Sequence, residues 1–427
     1  MTIIRHRYWN VPVLPHGPVL PHVPLLETTF IKMTTDFHKT LRPILFLCKS
    51  IGLINIAYTV EPTGLIIRDM NSTFLAYLEI LRMIVLLLLT YSYWNQFNRE
   101  VHIILVIEII KIWIIIIASR LSTIWIIKFI NGVTEFDQKI TPLSTSLSIT
   151  QRLWRKNKWN WIFIMLFTFF VGFRFMNIYF TPKKMQNIAT YMFVHPLFNP
   201  PHVMDYVLTI SSCFFLHNIY ARFQTLNDIW KCLPADLVVD FDKWTHNEII
   251  DVMENTRLLH SELCELLKMF TLGYGPLLLC FFISNFINML LGFYFMINYD
   301  VIFNLQFTGK RILLMFFHAQ SITFLMFIIV FVSFINDERL KIISYLRLYR
   351  ISILHFDIKR QIKMFMNQIS ACDSDQISAF GFFDVNLNLV TSILVLLITG
   401  IITLVQMKNH PIIFKFNNNT SNLYSKL

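Results

Sequence analysis

Residues 378–407 read SAFGFFDVNLNLVTSILVLLITGIITLVQM, a polar-tipped stretch that runs into an apolar segment long enough to cross a bilayer as a helix. At about 100° per residue, the polar side chains of this helix gather along one edge. The edge consists of Asp384, Asn388, Thr391, Ser392, Thr399, Thr403 and Gln406. A helix surrounded by lipid has no use for such an edge, so the pattern predicts a helix that lines water.

The composition places the whole chain in a membrane. Hydrophobic residues make up 55% and charged residues 15% of the 427 residues, whereas about a quarter of a soluble domain is charged. The apolar residues form blocks, and seven of these blocks are long enough to span a bilayer as helices. The seven predicted spans are 74–95, 101–127, 159–181, 203–229, 269–297, 311–335 and 385–407. We therefore predict an all-α membrane protein with seven transmembrane helices.

The loops between the blocks predict the orientation. Basic residues crowd before the first span and recur in the 128–158 and 336–384 loops, while the alternate loops carry few. By the positive-inside rule, the N-terminus is cytoplasmic and the C-terminus, after seven crossings, is extracellular. The sequons at Asn418 and Asn419 agree with an extracellular, glycosylated tail. The net charge of +11 is then mostly topological, and no nucleic-acid partner is expected.

Other classes of protein fit less well. The orientation is the reverse of a G-protein-coupled receptor, and the motifs of enzymes that bind phosphate, zinc or acyl groups are missing, so we predict no enzyme. A membrane transporter is the rival class. It would predict internal repeats or helices broken at the midplane, and Pro276 is placed near a helix start instead. No cofactor or metal site is predicted, because His6, His16 and His22 lie in a Pro-rich tail that does not hold ligands in place.

Short motifs along the chain resemble the insect gustatory receptors, members of the gustatory and odorant receptor superfamily. The last helix of that family carries Thr-Tyr, five apolar residues and Gln-Phe. Here Thr399 and Gln406 keep the spacing, while Gly400 replaces the Tyr and Met407 replaces the Phe. Weaker matches occur, in the family's order, at 43–53, 222–227, 274–277, 365–368 and 379–384.

The resemblance implies a tetrameric, non-selective cation channel that opens when a small-molecule tastant binds. Such receptors lie in the plasma membrane of sensory neurons, among lipids, as homotetramers or as heterotetramers with other gustatory receptors. Gln406 would lie at the gate and Met407 would form its apolar plug. Thr399 and Thr403 would wet the middle of the pore, and Asp384 would attract cations at its inner mouth. The alternative is that the Ser, Thr and Asn side chains of the edge only join helices by hydrogen bonds.

The same resemblance divides the chain into six parts. These are a cytoplasmic Pro-rich mobile tail (1–40), an interfacial or cytoplasmic helix region (41–73), a six-helix ligand-binding bundle (74–335), cytoplasmic anchor helices (336–384), the pore helix (385–407) and an extracellular tail (408–427). The block at 41–60 is interrupted by Lys49, Gly52 and Asn55. We interpret it as an amphipathic helix and not as a span.

A ligand site is expected in the outer halves of the spans. Its candidates are polar or aromatic: Arg174, Asn177, Tyr179, Asn285, Asn288, Tyr294, Phe317, His318 and Gln320. Arg174 is the most informative, because it has no acidic residue near it on its own helix. By contrast, Glu79 with Arg82 and Glu108 with Lys111 should neutralise each other three residues apart.

The ligand itself is less constrained. We favour a bitter or other plant-derived small molecule, because the altered gate residues Gly400 and Met407 suit a fast-changing member of the family. A sugar-gated gustatory receptor remains an alternative. So does an odorant receptor subunit that needs a co-receptor.

Overall fold

The computed structural model describes residues 24–54, 58–61, 65–68, 73–95, 102–146, 156–180, 200–233, 245–302, 308–348, 354–371 and 377–408. Over these ranges the chain forms α1 (Pro24–Ile51), β1 (Tyr58–Val60), β2 (Ile66–Arg68), α2 (Thr73–Asn95), α3 (His102–Ser146), α4 (Lys156–Phe180), α5 (Pro200–Lys231), α6 (His246–Ile302), α7 (Thr308–Leu348), α8 (Phe356–Ala371) and α9 (Leu387–Lys408). His6, His16, His22, Asn418 and Asn419 lie outside the described residues, so the expectations for the two tails stay predictions.

A short β-hairpin is the exception to the all-α prediction. Strands β1 and β2 pair antiparallel, with Thr59 opposite Ile67. The side chain of Asn131 on α3 holds the hairpin, because it accepts from the backbone N–H of Ile66 at 2.8 Å and donates to its carbonyl at 3.0 Å. The sequence did not predict this hairpin. Its strands are only three residues long, too short for a clear alternating pattern.

Helix α1 differs from the predicted helix at 41–60. It begins at Pro24, inside the segment predicted as a mobile tail, and it ends at Ile51. Gly52 ends it with a φ of +91°, a conformation that glycine adopts without steric cost. The N–H groups of Gly52 and Ile54 both donate to the carbonyl of Cys48, at 3.0 and 3.2 Å, so the end of the helix is capped by backbone.

Helices α3 and α6 form the longest packed pair of the described chain. Lys139 meets Glu262 at 2.6 Å near one end, and Asn288 bonds Glu108 near the other, so the helices run antiparallel. Glycines allow their close approach: a Cβ on Gly132 would lie 2.5 Å from Leu266. Small residues at such crossings are typical of membrane helix bundles.

Both helices are longer than the spans predicted at 101–127 and 269–297. Helix α3 has 45 residues and α6 has 57, which corresponds to roughly 65 to 85 Å at about 1.5 Å per residue. A bilayer core is only about 30 Å thick. Much of the predicted 128–158 and 230–268 loops is therefore helix projecting beyond the membrane. Pro276 lies inside α6 and not near a helix start, so that placement was wrong.

Helix α5 lies at the centre of the bundle. It packs against α1, α3, α4, α6 and α7, and its apolar residues such as Leu208, Phe215 and Ile219 are fully buried. Its polar side chains are buried too. Arg222 forms two hydrogen bonds with Asp137 of α3, at 2.8 and 2.5 Å, and Asn227 donates to Glu338 of α7 at 2.8 Å. The 222–227 motif thus ties α5 to a neighbour at each end.

Five described helices contain a stretch that is long and apolar enough to cross a membrane. The stretches are Val106–Thr145, Trp159–Met176, His246–Tyr294, His318–Arg347 and Leu387–Gln406. Helix α2 adds an outward apolar face, on which Tyr77, Leu81, Leu88 and Tyr91 are exposed. The molecule is therefore a helical membrane protein with an apolar exterior and with polar groups buried among the apolar residues of its interior.

Candidate pore helix and candidate ligand site

A tight turn at 377–385 leads into the last helix. The N–H of Val385 donates to the carbonyl of Ile377 at 2.8 Å, and the N–H of Ala379 donates to that of Phe383 at 2.9 Å. Phe380 and Gly381 turn the chain with φ values of 53° and 78°. Ile377, Ala379 and Val385 are buried, so the turn is seated in the protein before α9 begins.

The turn is seated against α6. A Cβ on Gly275 would lie 2.9 Å from the backbone nitrogen of Phe380, so the helix and the turn meet with no room for a side chain. Phe383 stacks edge-on against Phe282 at 5.7 Å between ring centroids. These contacts fix the position at which α9 leaves the bundle. Asn386 then caps the helix, because its side chain accepts from the N–H of Leu389 at 3.1 Å.

Helix α9 packs through one narrow face. Leu397 is its only buried residue among those described, and the partly buried Ile393, Gly400 and Leu404 lie beside it at helical spacing. Among the described residues its main contacts are with α6 and α7. Gly400, which replaces the Tyr of the resembling family, lets Leu290 of α6 approach, since a Cβ there would lie 2.8 Å from the leucine.

The polar edge of α9 lies on the opposite side from this face. Its exposed members are Asn388, Thr391, Ser392, Thr399, Thr403 and Gln406. In the isolated chain only 6% of the Leu387–Gln406 stretch is buried. The edge predicted from the sequence therefore exists and points away from the subunit to which it belongs.

The hydroxyl groups of this edge bond to their own helix. Thr399 donates to the carbonyl of Val395 at 2.8 Å, and Thr403 donates to that of Thr399 at 2.9 Å. Such bonds leave the oxygen lone pairs free to accept from water or to contact a cation. The alternative interpretation required hydrogen bonds from these side chains to another helix. Within the described residues the two threonines make none.

The two ends of the predicted pore are placed differently. Asp384 is exposed on the turn before α9, where its backbone bridges to Ser378. Gln406 is exposed in the last turn of the helix. Met407 lies within α9, but its side chain is outside the described residues, so its role as an apolar plug stays a prediction.

A second polar region lies inside the bundle, between α3, α5 and α6. Lys111 is buried and meets Asp205 of α5 at 2.5 Å and Glu108 on its own helix at 3.4 Å. Glu108 in turn accepts from the side-chain amide of Asn288 on α6. The predicted Glu108–Lys111 pair is confirmed, and it belongs to a larger network that joins three helices.

Arg174 of α4 lies beside this network without a hydrogen bond. Its side chain is buried, at 1% exposure, and its three guanidinium nitrogens have no hydrogen-bond partner within the described residues. The guanidinium lies 5.0 Å from the ring of Phe170, and Asp205 is close enough to act on its charge. Asp205 also keeps one oxygen without a partner. A buried cation with unmet donors is unusual, because each unmet donor costs free energy.

The other predicted ligand residues divide into three groups. His318 and Gln320 of α7 are buried and each keeps a side-chain nitrogen without a hydrogen bond. His318 stacks on Phe293 at 5.1 Å between centroids. Asn285 is buried but bonds the carbonyl of Phe281 on its own helix at 2.9 Å, and Tyr294 is partly buried. The side chains that the structure does not describe are those of Asn177, Tyr179 and Phe317.

Sequence analysis missed Asp205 and Tyr206. Both are buried on α5, and Tyr206 stacks on Phe170 at 4.4 Å, beneath Arg174. The signal was present, since Asp205 is an acidic residue inside an apolar block with no Lys or Arg within one helical turn. It was overlooked because it stands near the start of the predicted span.

A separate apolar groove of about 620 Å³ lies along the outer face of α4. Its walls include Trp161, Met165, Phe169 and Phe173, all from this one helix. It offers almost no polar group that could orient a ligand. We therefore place the candidate ligand site at the polar network and not in this groove.

Comparison with known proteins shows a match to one family and a fold shared with two solved structures. A family model described as 7tm Chemosensory receptor matches residues 41–409. Two solved structures of the insect olfactory receptor OR5 from Machilis hrabei share the fold. The complex with eugenol has a TM-score of 0.57 at 10% identity, and a further structure has 0.58 at 12%. Each alignment covers 88% of this chain and 99% of the olfactory receptor.

A search of curated proteins found no match. The family match spans most of the chain and includes both the polar network and the last helix. The resemblance to the gustatory and odorant receptor superfamily is thereby confirmed. This chain belongs to the 7tm chemosensory receptor family.

Proposed function

We propose that this protein is a gustatory receptor, a non-selective cation channel opened by a small-molecule tastant. In the proposal four subunits, identical or mixed with other gustatory receptors, surround one pore in the plasma membrane of a sensory neuron. The observation that carries the proposal is the exposed polar edge of α9, which points away from its own bundle. Lipid cannot solvate that edge, whereas a water-filled axis shared by four copies can.

The proposed pore works through the residues of that edge. Thr399 and Thr403 turn oxygen lone pairs outward, because their hydrogens are used within the helix. Asp384 adds a negative charge at the mouth where the turn begins. Gln406 would present an amide oxygen when α9 rotates, and the neighbouring Met407 would close the resting pore as an apolar ring that excludes water.

The proposed topology has seven crossings, a cytoplasmic N-terminus and an extracellular C-terminus. Helices α2 and α5 would complete the count beside the five apolar stretches. Support comes from α5, which is polar because it is surrounded by protein and not by lipid. The sequons at Asn418 and Asn419 then lie outside the cell, so treatment with a glycosidase should lower the apparent mass of the protein from cells.

The proposed ligand site centres on Arg174, His318 and Gln320. Arg174 and Gln320 offer buried N–H donors without acceptors among the described residues, and the buried Nε2 of His318 also lacks a partner there. A ligand that carries acceptor oxygens, such as a carbonyl, a glycoside or a carboxylate, would meet them. The aromatic rings of Phe170 and Phe293 beside these donors would cover its apolar part.

Two alternatives also describe a ligand-gated channel: one differs in its ligand, a sugar, and the other in its assembly with a co-receptor. A bitter or other plant-derived compound fits the mixed aromatic and polar surroundings of Arg174 and His318, and a sugar is the alternative ligand. An odorant receptor subunit is the second alternative, favoured by the similarity of fold to an olfactory receptor. A transporter, the remaining class, is disfavoured by the continuous α6, which is not broken at Pro276.

The test is electrical. The chain should be expressed alone in cells and challenged with panels of alkaloids, glycosides, sugars and volatile odorants during whole-cell recording. We expect a cation current with at least one plant-derived compound, and a changed ion preference or rectification in Gln406→Ala. Current that appears only with a co-expressed odorant co-receptor, and not with other gustatory receptors, would favour the odorant receptor alternative. Unaltered permeation in Gln406→Ala would contradict the proposed pore.

A further inference from the structure

A cluster of His246, His355 and Asp357 lies at the starts of α6 and α8, and it shares no residue with the proposed pore or the proposed ligand site. Nε2 of His246 is 3.9 Å from Oδ2 of Asp357, and Nδ1 of His355 is 3.4 Å from the same oxygen. The two imidazole rings are 4.5 Å apart between centroids. All three ligand atoms lie within 4.8 Å of one another.

The start of α6 fixes the position of His246. Thr245 and Glu248 form a reciprocal cap: the N–H of Thr245 donates to the Glu248 carboxylate at 2.8 Å, and the N–H of Glu248 donates to the Thr245 hydroxyl at 3.3 Å. His246 therefore begins the helix at a defined backbone position. Its Nε2 makes no hydrogen bond with any described residue.

The start of α8 fixes the other two ligands. The carbonyl of His355 accepts from the N–H of Lys359 at 3.0 Å and so closes the first turn of the helix. Asp357 lies in that first turn, where a carboxylate is favoured by the helix dipole. Both ligands are thus held by the same short stretch of backbone.

The two helices run side by side in one register. Arg257 of α6 donates to the side chain of Gln368 of α8 at 2.9 Å, and Gln368 donates back to the carbonyl of Arg257 at 3.0 Å. The same offset along the chain separates His246 from Asp357. The cluster therefore lies at one end of the α6–α8 pair. The Arg257–Gln368 bonds join the same two helices about 16 Å further along, at about 1.5 Å per residue.

We propose that this cluster binds a divalent transition-metal ion of the zinc class. Two imidazoles and one carboxylate are a ligand set that zinc accepts, with solvent in the fourth position. Zinc bonds of about 2.0 to 2.1 Å place tetrahedral ligands about 3.3 Å apart. Oδ2 of Asp357 is already 3.4 Å from Nδ1 of His355, whereas its 3.9 Å separation from Nε2 of His246 must close by about half an ångström. The two imidazole nitrogens lie within 4.8 Å of each other and must also approach.

Solvent reaches the site, which lets an ion enter. The side chains of His246, His355 and Asp357 are 31%, 63% and 54% exposed. The positive ends of the two helices oppose a bare cation, but Asp357 and the capping Glu248 offset them with two carboxylates. A bound ion would link the start of α6 to the start of α8, and so clamp the segment proposed as the cytoplasmic anchor.

The test is zinc binding by the full-length receptor purified in detergent, measured by competition with a fluorescent chelator. The background protein carries His6→Ala, His16→Ala and His22→Ala, since the tail histidines are a second source of ligands. We expect one zinc ion per chain, and at least a tenfold weaker affinity in His246→Ala and in Asp357→Asn. Lys359→Ala, an exposed neighbour, is the matched control and should bind as the parent does.

A cysteine replacement separates a metal ligand from a merely structural residue. Asp357→Cys supplies a thiolate, which is also a zinc ligand, and should keep the binding that Asp357→Asn loses. Cobalt bound to the parent should absorb in the visible range as a tetrahedral complex, and Asp357→Cys should shift that band. Equal zinc affinity in the parent, His246→Ala and Asp357→Asn would overturn the proposal. So would loss of all binding on replacing the tail histidines, or loss in Asp357→Asn that accompanies altered gel filtration in metal-free buffer.

Discussion

Helices α5 and α9 both depart from the pattern of a water-soluble protein, in which apolar side chains are buried and polar ones are exposed. Helix α5 carries an acid, an arginine and several hydroxyls, yet it lies at the centre of the bundle with these groups buried. Helix α9 contains the most apolar stretch of the described chain, with a mean hydropathy of 2.4, yet only 6% of that stretch is buried. The more polar helix is thus the buried one, and the more apolar helix is the exposed one.

The inversion follows from the solvent. Lipid accepts apolar side chains at no cost, so a helix gains little by burying them, whereas polar groups must find partners inside the protein. Helix α5 meets that requirement with Lys111, Asp137 and Glu338 as partners on neighbouring helices. The apolar exterior of α9 needs no explanation beyond lipid. The exposed polar edge of α9 does need a further explanation. Four copies of the helix facing a shared water-filled axis would provide it.

The largest expected effect is on the centre of the bundle. Arg222→Ala would leave Asp137 buried without its two hydrogen bonds, and breaking a buried pair costs about 3 to 5 kcal/mol. We expect little folded receptor at the cell surface and a much lower temperature of unfolding in detergent. Fluorescence-detected gel filtration after heating measures both.

The control for that prediction is the exposed pair of Lys139 with Glu262. It is also short, at 2.6 Å, but the lysine is 56% exposed. Exposed pairs contribute about 0 to 1 kcal/mol. Lys139→Ala should therefore leave the unfolding temperature nearly unchanged, and an equal loss in both variants would show that burial is not the deciding factor.

The next effect concerns the place where α9 is seated. Gly275→Ala would put a Cβ 2.9 Å from the backbone of Phe380, which cannot move aside as a flexible side chain can. Overpacking of this kind costs about 1 to 3 kcal/mol. We expect a lower unfolding temperature and a smaller current per receptor at the surface. The measurements are thermal unfolding in detergent and recording normalised to surface labelling.

Gly172→Ala is its matched control. No atom lies within 4 Å of a Cβ at Gly172, on the exposed face of α4. Alanine in place of glycine within a helix stabilises by about 0.5 to 1 kcal/mol. The two substitutions should therefore change the unfolding temperature in opposite directions. A gain in both would mean that the turn moves freely against α6.

The sequence predicted local features well and tertiary ones poorly. It predicted the polar edge of α9 and the Glu79–Arg82 and Glu108–Lys111 pairs, which are confirmed at 3.0 and 3.4 Å. All of these depend only on helical spacing. It missed the Arg222–Asp137 pair, because the partners lie 85 positions apart and meet only when α3 packs on α5.

The same limit applies to helix lengths. The ends of α3 and α6 that extend past the predicted spans were predicted as loops, because their charge excludes them from a bilayer. Charge does not exclude them from a helix. The capping box of Thr245 and Glu248 was visible in the sequence and marks the true start of α6. The polar network around Lys111 could not be predicted in full, since it joins side chains of three helices whose packing no single segment encodes.

A smaller effect on stability, with a clear effect on function, is expected at Arg174. Arg174→Met keeps the length and apolar contacts of the side chain and removes donors that have no partner in the described protein. The unfolding temperature should stay the same or rise, because an unmet buried donor is lost. The concentration of agonist for half-maximal current should rise about tenfold or more, equivalent to about 1.4 kcal/mol of binding.

The measurement that separates these two effects is a dose–response curve beside a thermal unfolding curve of the same variant. Leu272→Met, an exposed substitution of similar size on α6, is the control and should change neither. A large drop in the unfolding temperature of Arg174→Met would mean that the guanidinium stabilises the fold. In that event the ligand would have to be held by other groups.

The smallest expected effect compares two threonines that make the same bond. Thr209 of α5 and Thr403 of α9 each donate to the carbonyl four residues earlier, at 2.7 and 2.9 Å. Thr209 is buried and Thr403 is exposed. Valine has nearly the same shape and lacks only the hydroxyl, so each substitution removes one bond and one oxygen.

On stability both changes should be small, about 0.5 to 1 kcal/mol or less, because the carbonyls keep their helical bonds. On permeation they should differ. Thr403→Val removes an oxygen that the proposed pore offers to water and cations, so single-channel conductance should fall, whereas Thr209→Val should leave it unchanged. A group that contacts the water in a pore cannot be removed without changing how that water is solvated. Equal conductance in Thr403→Val and the parent, at unchanged surface expression, would therefore place the polar edge of α9 away from the path of the ions.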